Sequence, residues 1–518
     1  MAKHAFRKLV PTVVGIGILL PTTYFAYDGY VKSAAPSNFE VAAARLGFSG
    51  YKKADRTISS QVHQEALLKQ LQIAGYFQPT NLWKAIIGLG VKDPVAAFNQ
   101  IYPAIKKSHA DQSDPSKFNA KILRKNLGKG TELDEQDTMD LLFYLAQNAF
   151  GRKSGQERNE LSSQDWMKKY EEIYLSNAKL LRLIDREVPE LQSYDAALIA
   201  GASRIGVIAR IVDYHNIISK YSIKVSGETA ILAGSRELWA NIDGIIPNVR
   251  DRLIEAYKAK TDIDTLDISL PVGEDQARIA EGREYMQGLA VRYNIRLNES
   301  SPFIQYTTKE ECPPGHFPGR VYPNYAEGEN RKLTETLMSE DLLTTYLLHN
   351  GRSISIVDTL AEQHQRPNTA STARDAVKKL VERIMSGEYG DKKEFVILFE
   401  TNNPYIERQT IATQREANKI LKDYKLSDKG YVIKVEGVGF KCKQDVATVH
   451  SEFGALIAEK WKNAVEHQKE SGILPKRAIE SLQFQTRANS APLAPEPDIS
   501  NVDLSGNFFQ ELFDEYLP

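Results

Sequence analysis

Two short apolar runs are each followed by the same chemistry. AALIA (196–200) leads into Gly201-Ala202-Ser203-Arg204, and TAILA (229–233) leads into Gly234-Ser235-Arg236-Glu237. Glycine lets a backbone approach a ligand closely. Serine hydroxyls and the N–H groups of a helix start bind anion oxygens. Arginine offers a planar fork matched to carboxylate or phosphate. Two further runs, SISIV (353–357) and FVILF (395–399), carry related groups. The first is followed by Asp358 and, at the next helix start, by Asn368, Thr369 and Arg374. The second is followed by Glu400, Thr401, Asn402, Asn403, Pro404, Tyr405 and Arg408. If these runs are parallel strands of one sheet, their carboxyl ends form one edge, where open parallel sheets bind ligands. The expectation is a crevice for a small anionic molecule, lined by Gly201, Ser203, Arg204, Gly234, Ser235, Arg236, Asn368, Thr369, Thr401, Asn402 and Arg408. Arg374, a turn inside its helix, is a further guanidinium for the same edge. Asp358 and Glu237 are the acid–base candidates, because carboxylates beside a crevice can be tuned for proton transfer. Tyr405 is a poorer base, with an ordinary phenol pKa of ~10. The plainer alternative is that each arginine pairs with a nearby acid or faces water.

A parallel sheet must hold these ends level. Between the apolar runs lie longer stretches with apolar residues at three- and four-residue spacing, including IGVIARIVDYHNIISKY, STARDAVKKLVERIM, ERQTIATQREANKILKDY and HSEFGALIAEKWKNAVEHQ. This alternation predicts an α/β fold, a Rossmann-like doubly wound parallel sheet over 191–470. PFIQY (302–306) and YVIKVEGV (431–438) are read as further strands. Residues 247–350 are read as an insertion. Its Pro- and Gly-rich part, 311–347, is a loop or lid carrying His316, followed by a helix. Residues 36–190 read as a helical domain, with periodic runs such as HQEALLKQLQIAGYF and WMKKYEEIYLSNAKLLRLIDREV. Residues 471–518 are a Pro-rich tail ending in the acidic amphipathic NFFQELFDEYL. That segment either docks on its own domain or binds a protein partner.

Lys3, Arg7 and Lys8 precede 19 uncharged residues, 9–27; a helix of ~20 residues crosses a bilayer. Residues 1–35 are therefore expected to be a signal anchor, with a cleaved signal peptide and a buried helix as alternatives. The body then lies outside the cytoplasm, as on a bacterial inner membrane facing the periplasm. There Cys312 and Cys442 either pair or stay free. Across 518 residues, Lys+Arg is 66 and Asp+Glu is 67, a net charge of −1. No global basic field points to nucleic acid. Two cysteines exclude a four-cysteine zinc site, and HExxH, GxSxG and a phosphate-binding P-loop motif are absent. No metal site is indicated, and the residues name no particular cofactor. Gly437-Val438-Gly439, placed after the last strand, is a lone glycine pair.

The strand-end residues, taken in order, resemble the family of α/β domains that includes YdcF, SanA and ElyC. Its pattern is a Gly-rich turn, a Ser-Gly type turn, an acidic residue with an Asn-Thr element, and Thr-Ser-x-x-His-x-x-Arg. Asp358 with Asn368-Thr369 matches the third element. Thr401 to Arg408 matches the fourth in spacing, with Tyr405 standing where the family has His. Ser371-Thr372 replaces the usual Glu-Asn. The resemblance runs roughly from Asp195 to Gly439 and gives 36–190 no counterpart. It implies a membrane-anchored, extracytoplasmic body linked to cell-envelope biogenesis, and a site without an assigned reaction. Two functions are weighed. One is binding of, or catalysis on, a phosphorylated or nucleotide-like molecule. The other is a non-catalytic envelope scaffold that uses the helical region and the tail, a reading that Tyr405 in the His position favours.

Overall fold

The computed structural model describes residues 38–53, 56–73, 139, 142–143, 167–168, 170–266, 275–308, 310–313, 316–346, 353–360 and 368–470. The run 9–27, much of 36–190 and the tail from 471 lie outside the described residues. Among the described residues no helix is long and apolar enough to cross a membrane.

In chain order, the elements that matter are α1 (Asn38–Arg45), α2 (Ser60–Ile73), α3 (Glu171–Leu180), β1 (Ala196–Ala200), α4 (Arg204–Lys220), β2 (Thr229–Gly234) and α5 (Gln276–Arg292). They continue with α6 (Glu335–Tyr346), β3 (Ile354–Thr359), α7 (Thr369–Met385), β4 (Glu394–Asn402), α8 (Ile406–Asp423), β5 (Val432–Phe440) and α9 (Val446–Glu470). The strands form one five-stranded sheet in the order β3-β2-β1-β4-β5, parallel at every pairing. Chain direction across the sheet reverses at β1, so the switch point lies between β1 and β4.

Both faces are covered, which is why the strands read as apolar runs rather than alternating ones. Ala197 and Ile199 of β1, Ile231 of β2 and Leu398 of β4 point to the face packed by α4, α5 and α6. Ala196, Leu198, Ala200, Leu232 and Phe399 point to the face packed by α7 and α8. A further core cluster joins the amino-terminal helices to the last one. Ala42, Leu67, Tyr174 and Ala178 pack with Val449, Phe453, Leu456 and Trp461 of α9. Lys460 of α9 donates to the Gly47 carbonyl just after α1 at 3.4 Å and also bonds Glu407 of α8, while Arg182 holds Glu187 through both carboxylate oxygens. Burial opposes the Glu407 charge, but Lys460 and Arg182 hold its carboxyl down to about 2.

Three expectations are corrected. PFIQY is no strand of the parallel sheet: Phe303–Gln305 pairs antiparallel with Val321–Pro323 in a separate hairpin. Its three residues remain partly or fully exposed, whereas a parallel strand must be buried on both faces. Gly437-Val438-Gly439 lies inside β5, not after it. The pairing alternative for Cys312 and Cys442 does not hold, since both are free. Cys312 donates to the Thr308 carbonyl in an exposed turn, while Cys442 packs against the α9 cluster.

Truncating Trp461, fully buried and stacked on Phe143 at 4.3 Å, opens the cavity of a large aromatic. Trp461→Ala is expected to lower unfolding free energy by about 3–5 kcal/mol, read as an earlier midpoint in urea titration.

Candidate functional site at the carboxyl edge of the sheet

Register fixes what stands together at the switch point. Glu400 pairs with Ile199, so Asn402, two residues on, is level with Gly201. Arg210, one and a half turns into α4, ties the two ends. Its Nε and Nη2 donate to Asn402 Oδ1 at 3.0 and 2.9 Å. Its Nη1 donates to the carbonyls of Ala200 and Gly201 at 2.9 and 2.6 Å. Gly201 has little choice of residue type. A Cβ there would collide with the Leu232 carbonyl oxygen and with Oε1 of Glu335. The turn 201–203 stays partly exposed between buried neighbours. Ser203 is the N-cap of α4 and makes no side-chain cap bond. By contrast, Asp275 caps α5, and Asn368 closes a capping box with Ser371 on α7.

The four expected arginines each meet a different carboxylate. Arg204, buried, bonds Glu281 and lies 3.6 Å from the Tyr285 ring centroid. Arg236 grips Asp243 through both Nη atoms at 2.9 and 2.8 Å, with Glu335 at 3.5 Å from its Nε. Arg374 reaches Glu416 at 2.9 Å, from helix to helix. Arg408 reaches Glu452 of α9 at 2.6 Å. The edge therefore carries compensated charge, not a ring of open guanidinium groups.

The hydroxyl and amide candidates are more connected. Thr401 donates to Gln409 Oε1 at 2.7 Å, and Gln409 Nε2 donates to Thr369 at 3.3 Å. That chain joins the end of β4 to the starts of α7 and α8. Gly234 ends β2, and the Ser235 N–H continues the β2–β3 ladder by donating to the Thr359 carbonyl at 2.9 Å. The three acid–base candidates occupy separate neighbourhoods. Asp358 is exposed and accepts from Thr336. Tyr405 is buried at the start of α8, its ring 5.9 Å from the Arg210 guanidinium. Glu237 bonds His316 at 2.9 Å and Lys332 at 3.1 Å. Burial opposes its charge, but His316 and Lys332 hold the carboxyl below the usual carboxylate range.

Beneath the switch point lies a buried acid pair absent from the sequence reading. Glu400 of β4 and Asp213 of α4 are both fully buried. Arg186 clamps Asp213 at 2.8 and 3.2 Å and also holds Asp262 and Asp264. Burial, then the neighbouring Asp213 charge, pushes Glu400 well above the carboxylate range, with Arg186 and Arg210 acting the other way. Burial pushes Asp213 up to about 6 against the pull of Arg186. The signal for this pair was Arg210 with Asp213, charges three apart in the mostly apolar first half of α4. Gln409 and Glu335 gave no comparable signal. A groove of about 280 Å³ bounded by Arg186, Asn216, Lys220, Lys260 and Asp262 opens at the carboxyl end of α4, the opposite end from the Gly201 turn. Among the described residues no group of three His, Cys, Asp or Glu side chains is placed to hold a metal ion.

Comparison with protein-family models, with curated proteins and with solved structures finds no match.

A carboxyl whose pKa is raised by folding stabilises the fold when protonated. That contribution is present below its unfolded value of about 4.5 and is lost as pH rises through the folded value. Glu400→Gln keeps the neutral form at all pH. Its melting temperature relative to the parent is expected to rise as pH increases above about 4.5, toward the raised folded value. A difference independent of pH in calorimetric scans would show Glu400 to be unperturbed.

Proposed function

We propose that this protein is a Rossmann-like body that binds a small anionic molecule, phosphorylated or nucleotide-like, over the Gly201-Ala202-Ser203 turn. One observation carries the reading. At the switch point, a partly exposed Gly-Ala-Ser turn opens a 17-residue helix whose serine N-cap makes no side-chain cap bond. First-turn N–H groups and the helix dipole favour negative charge there. Ser203 would add a hydroxyl, Asn402 and Arg210 would hold the two loops in register, and Arg236 would face the ligand from the β2 end beside Glu335. Arg408 and Arg374, paired toward α9 and α8, hold elements together in this reading. Asp358 and Glu237 remain the acid–base candidates should a reaction occur at this edge. The resemblance to the YdcF, SanA and ElyC family and the apolar run 9–27 support an anchored body on the extracytoplasmic side of a membrane, with a role in the cell envelope.

A second reading is favoured by the arginine pairs. Arg204–Glu281, Arg236–Asp243, Arg374–Glu416 and Arg408–Glu452 leave each guanidinium already neutralised. A non-catalytic scaffold needs no more than that, and the tail from 471 would be its contact with a protein partner.

Thermal melting against nucleotides and sugar phosphates separates the two. Ligand at 100 times its Kd adds about 2.7 kcal/mol, so at least one of these classes is expected to raise the melting temperature. Ser203→Asp places a carboxylate on the same N–H groups. It is expected to keep or raise the basal melting temperature, since Asp is a good N-cap, and to abolish the ligand response. No response from any phosphorylated compound would leave the scaffold reading standing.

A further inference from the structure

Behind the end of β2, the hairpin of Phe303–Gln305 and Val321–Pro323 presents a ring to the same edge. Its base is anchored. The Val321 N–H donates to Asn241 Oδ1 at 2.7 Å, Asn241 Nδ2 donates to the Gly319 carbonyl at 3.2 Å, and the Gly319 N–H donates to the Tyr306 carbonyl at 2.9 Å. The loop carries His316, whose ring lies against Tyr322 and Tyr306 with centroids 4.1 and 5.7 Å away. His316 Nε2 stands 2.9 Å from Glu237 Oε2. Glu237 is itself fixed, because the backbone on either side pairs with the strand-like segment before α6. The Leu238 N–H donates to the Leu333 carbonyl, and the Glu335 N–H donates to the Arg236 carbonyl, both at 2.9 Å.

These contacts dictate where the imidazole hydrogen goes. An ionised carboxylate only accepts, so the nitrogen facing Glu237 must carry the N–H. In the neutral ring the other nitrogen, Nδ1, is then a bare acceptor. That atom is buried and has no hydrogen-bond partner in the protein. Buried polar atoms are nearly always paired, and an exception calls for an explanation: strain, a catalytic role, a water or a ligand. The ring is thus oriented, its tautomer set, and its buried acceptor left without a partner in the protein near the end of β2. A carboxylate–imidazole pair of this kind is the orienting half of acid–base sites on many unrelated folds.

We propose that His316 Nδ1 accepts a hydrogen bond from a hydroxyl group of a bound small molecule, with Glu237 as the positioning residue that fixes the ring. The inference rests on the carboxyl-edge reading for its location, and it names the second half of the ligand as a sugar or polyol. If the hydroxyl proton moves, it goes to Nδ1, and the resulting imidazolium keeps its Nε2–H on the Glu237 carboxylate.

The test is two-bond proton–nitrogen NMR on the full chain carrying nitrogen-15 histidine, with His316 assigned by its loss in His316→Gln. Ribose, ribose 5-phosphate and inorganic phosphate are the probes. The expected result is the Nε2–H tautomer in the neutral ring and an Nδ1 resonance that moves with ribose and ribose 5-phosphate but not with phosphate. Glu237→Ala should lose the tautomer preference. Glu237→Gln, whose amide oxygen still accepts, should restore it, and a merely structural role for Glu237 would not give that pattern. Thermal melts confirm that each variant is folded. An Nδ1–H tautomer, or an Nδ1 resonance unmoved by both sugars, overturns the proposal. If phosphate perturbs the Gly201 turn while Nδ1 stays still, the edge site stands and the His316 assignment falls. If ribose moves Nδ1 while phosphate binds nowhere, the assignment stands and the anion reading falls.

Discussion

A single buried guanidinium holds the switch point together. Arg210 is 3 % exposed, and burying such a charge costs several kcal/mol unless it is well bonded. Asn402 and the carbonyls of Ala200 and Gly201 supply those bonds. Their geometry works only if β1 and β4 end at the same level, so the clamp also sets the register of the loops that follow. The Gly201 turn, the start of α4 and the start of α8 all inherit their positions from it. Even the glycine at 201 follows, because the turn must pass close to the Leu232 carbonyl and the Glu335 carboxylate.

Around this clamp, charge is balanced locally. Arg204 meets Glu281, Arg236 meets Asp243 and Glu335, and Arg408 meets Glu452. The near-zero net charge of the chain thus has a structural counterpart: cations and anions pair within the fold. Guanidinium groups at this edge are already engaged by internal carboxylates, which is why the proposed anion contact falls on the start of α4 and its serine, with arginine in a supporting role.

The sheet was legible in the residues because period-two burial on two covered faces leaves continuous apolar runs. AALIA, TAILA, SISIV and FVILF all became neighbouring parallel strands, with YVIKVEGV at the edge. PFIQY has the same composition but pairs locally, since run composition carries no information about the partner strand. The Gly-Ser turns were legible as strand ends for the same topological reason. The partners of the arginines were not. Glu281, Asp243, Glu416 and Glu452 lie 7 to 77 residues away in sequence, and no local spacing announces them. His316 stood out only as a histidine in a proline-rich loop. Its meeting with Glu237, 79 residues earlier, depends on the hairpin that folds the loop back. The Asp213–Glu400 pair needed α4 laid across β4 before its two halves became one feature.

In the function proposed, the head of α4 is where this fold receives a ligand. Amide hydrogen–deuterium exchange over residues 201–208, measured on the full chain with and without a phosphorylated sugar or nucleotide, tests it at the atoms concerned. Slowed exchange confined to that peptide and to the turn after β4 is the expected result. Unchanged exchange there, with protection appearing only at other surfaces, would contradict it.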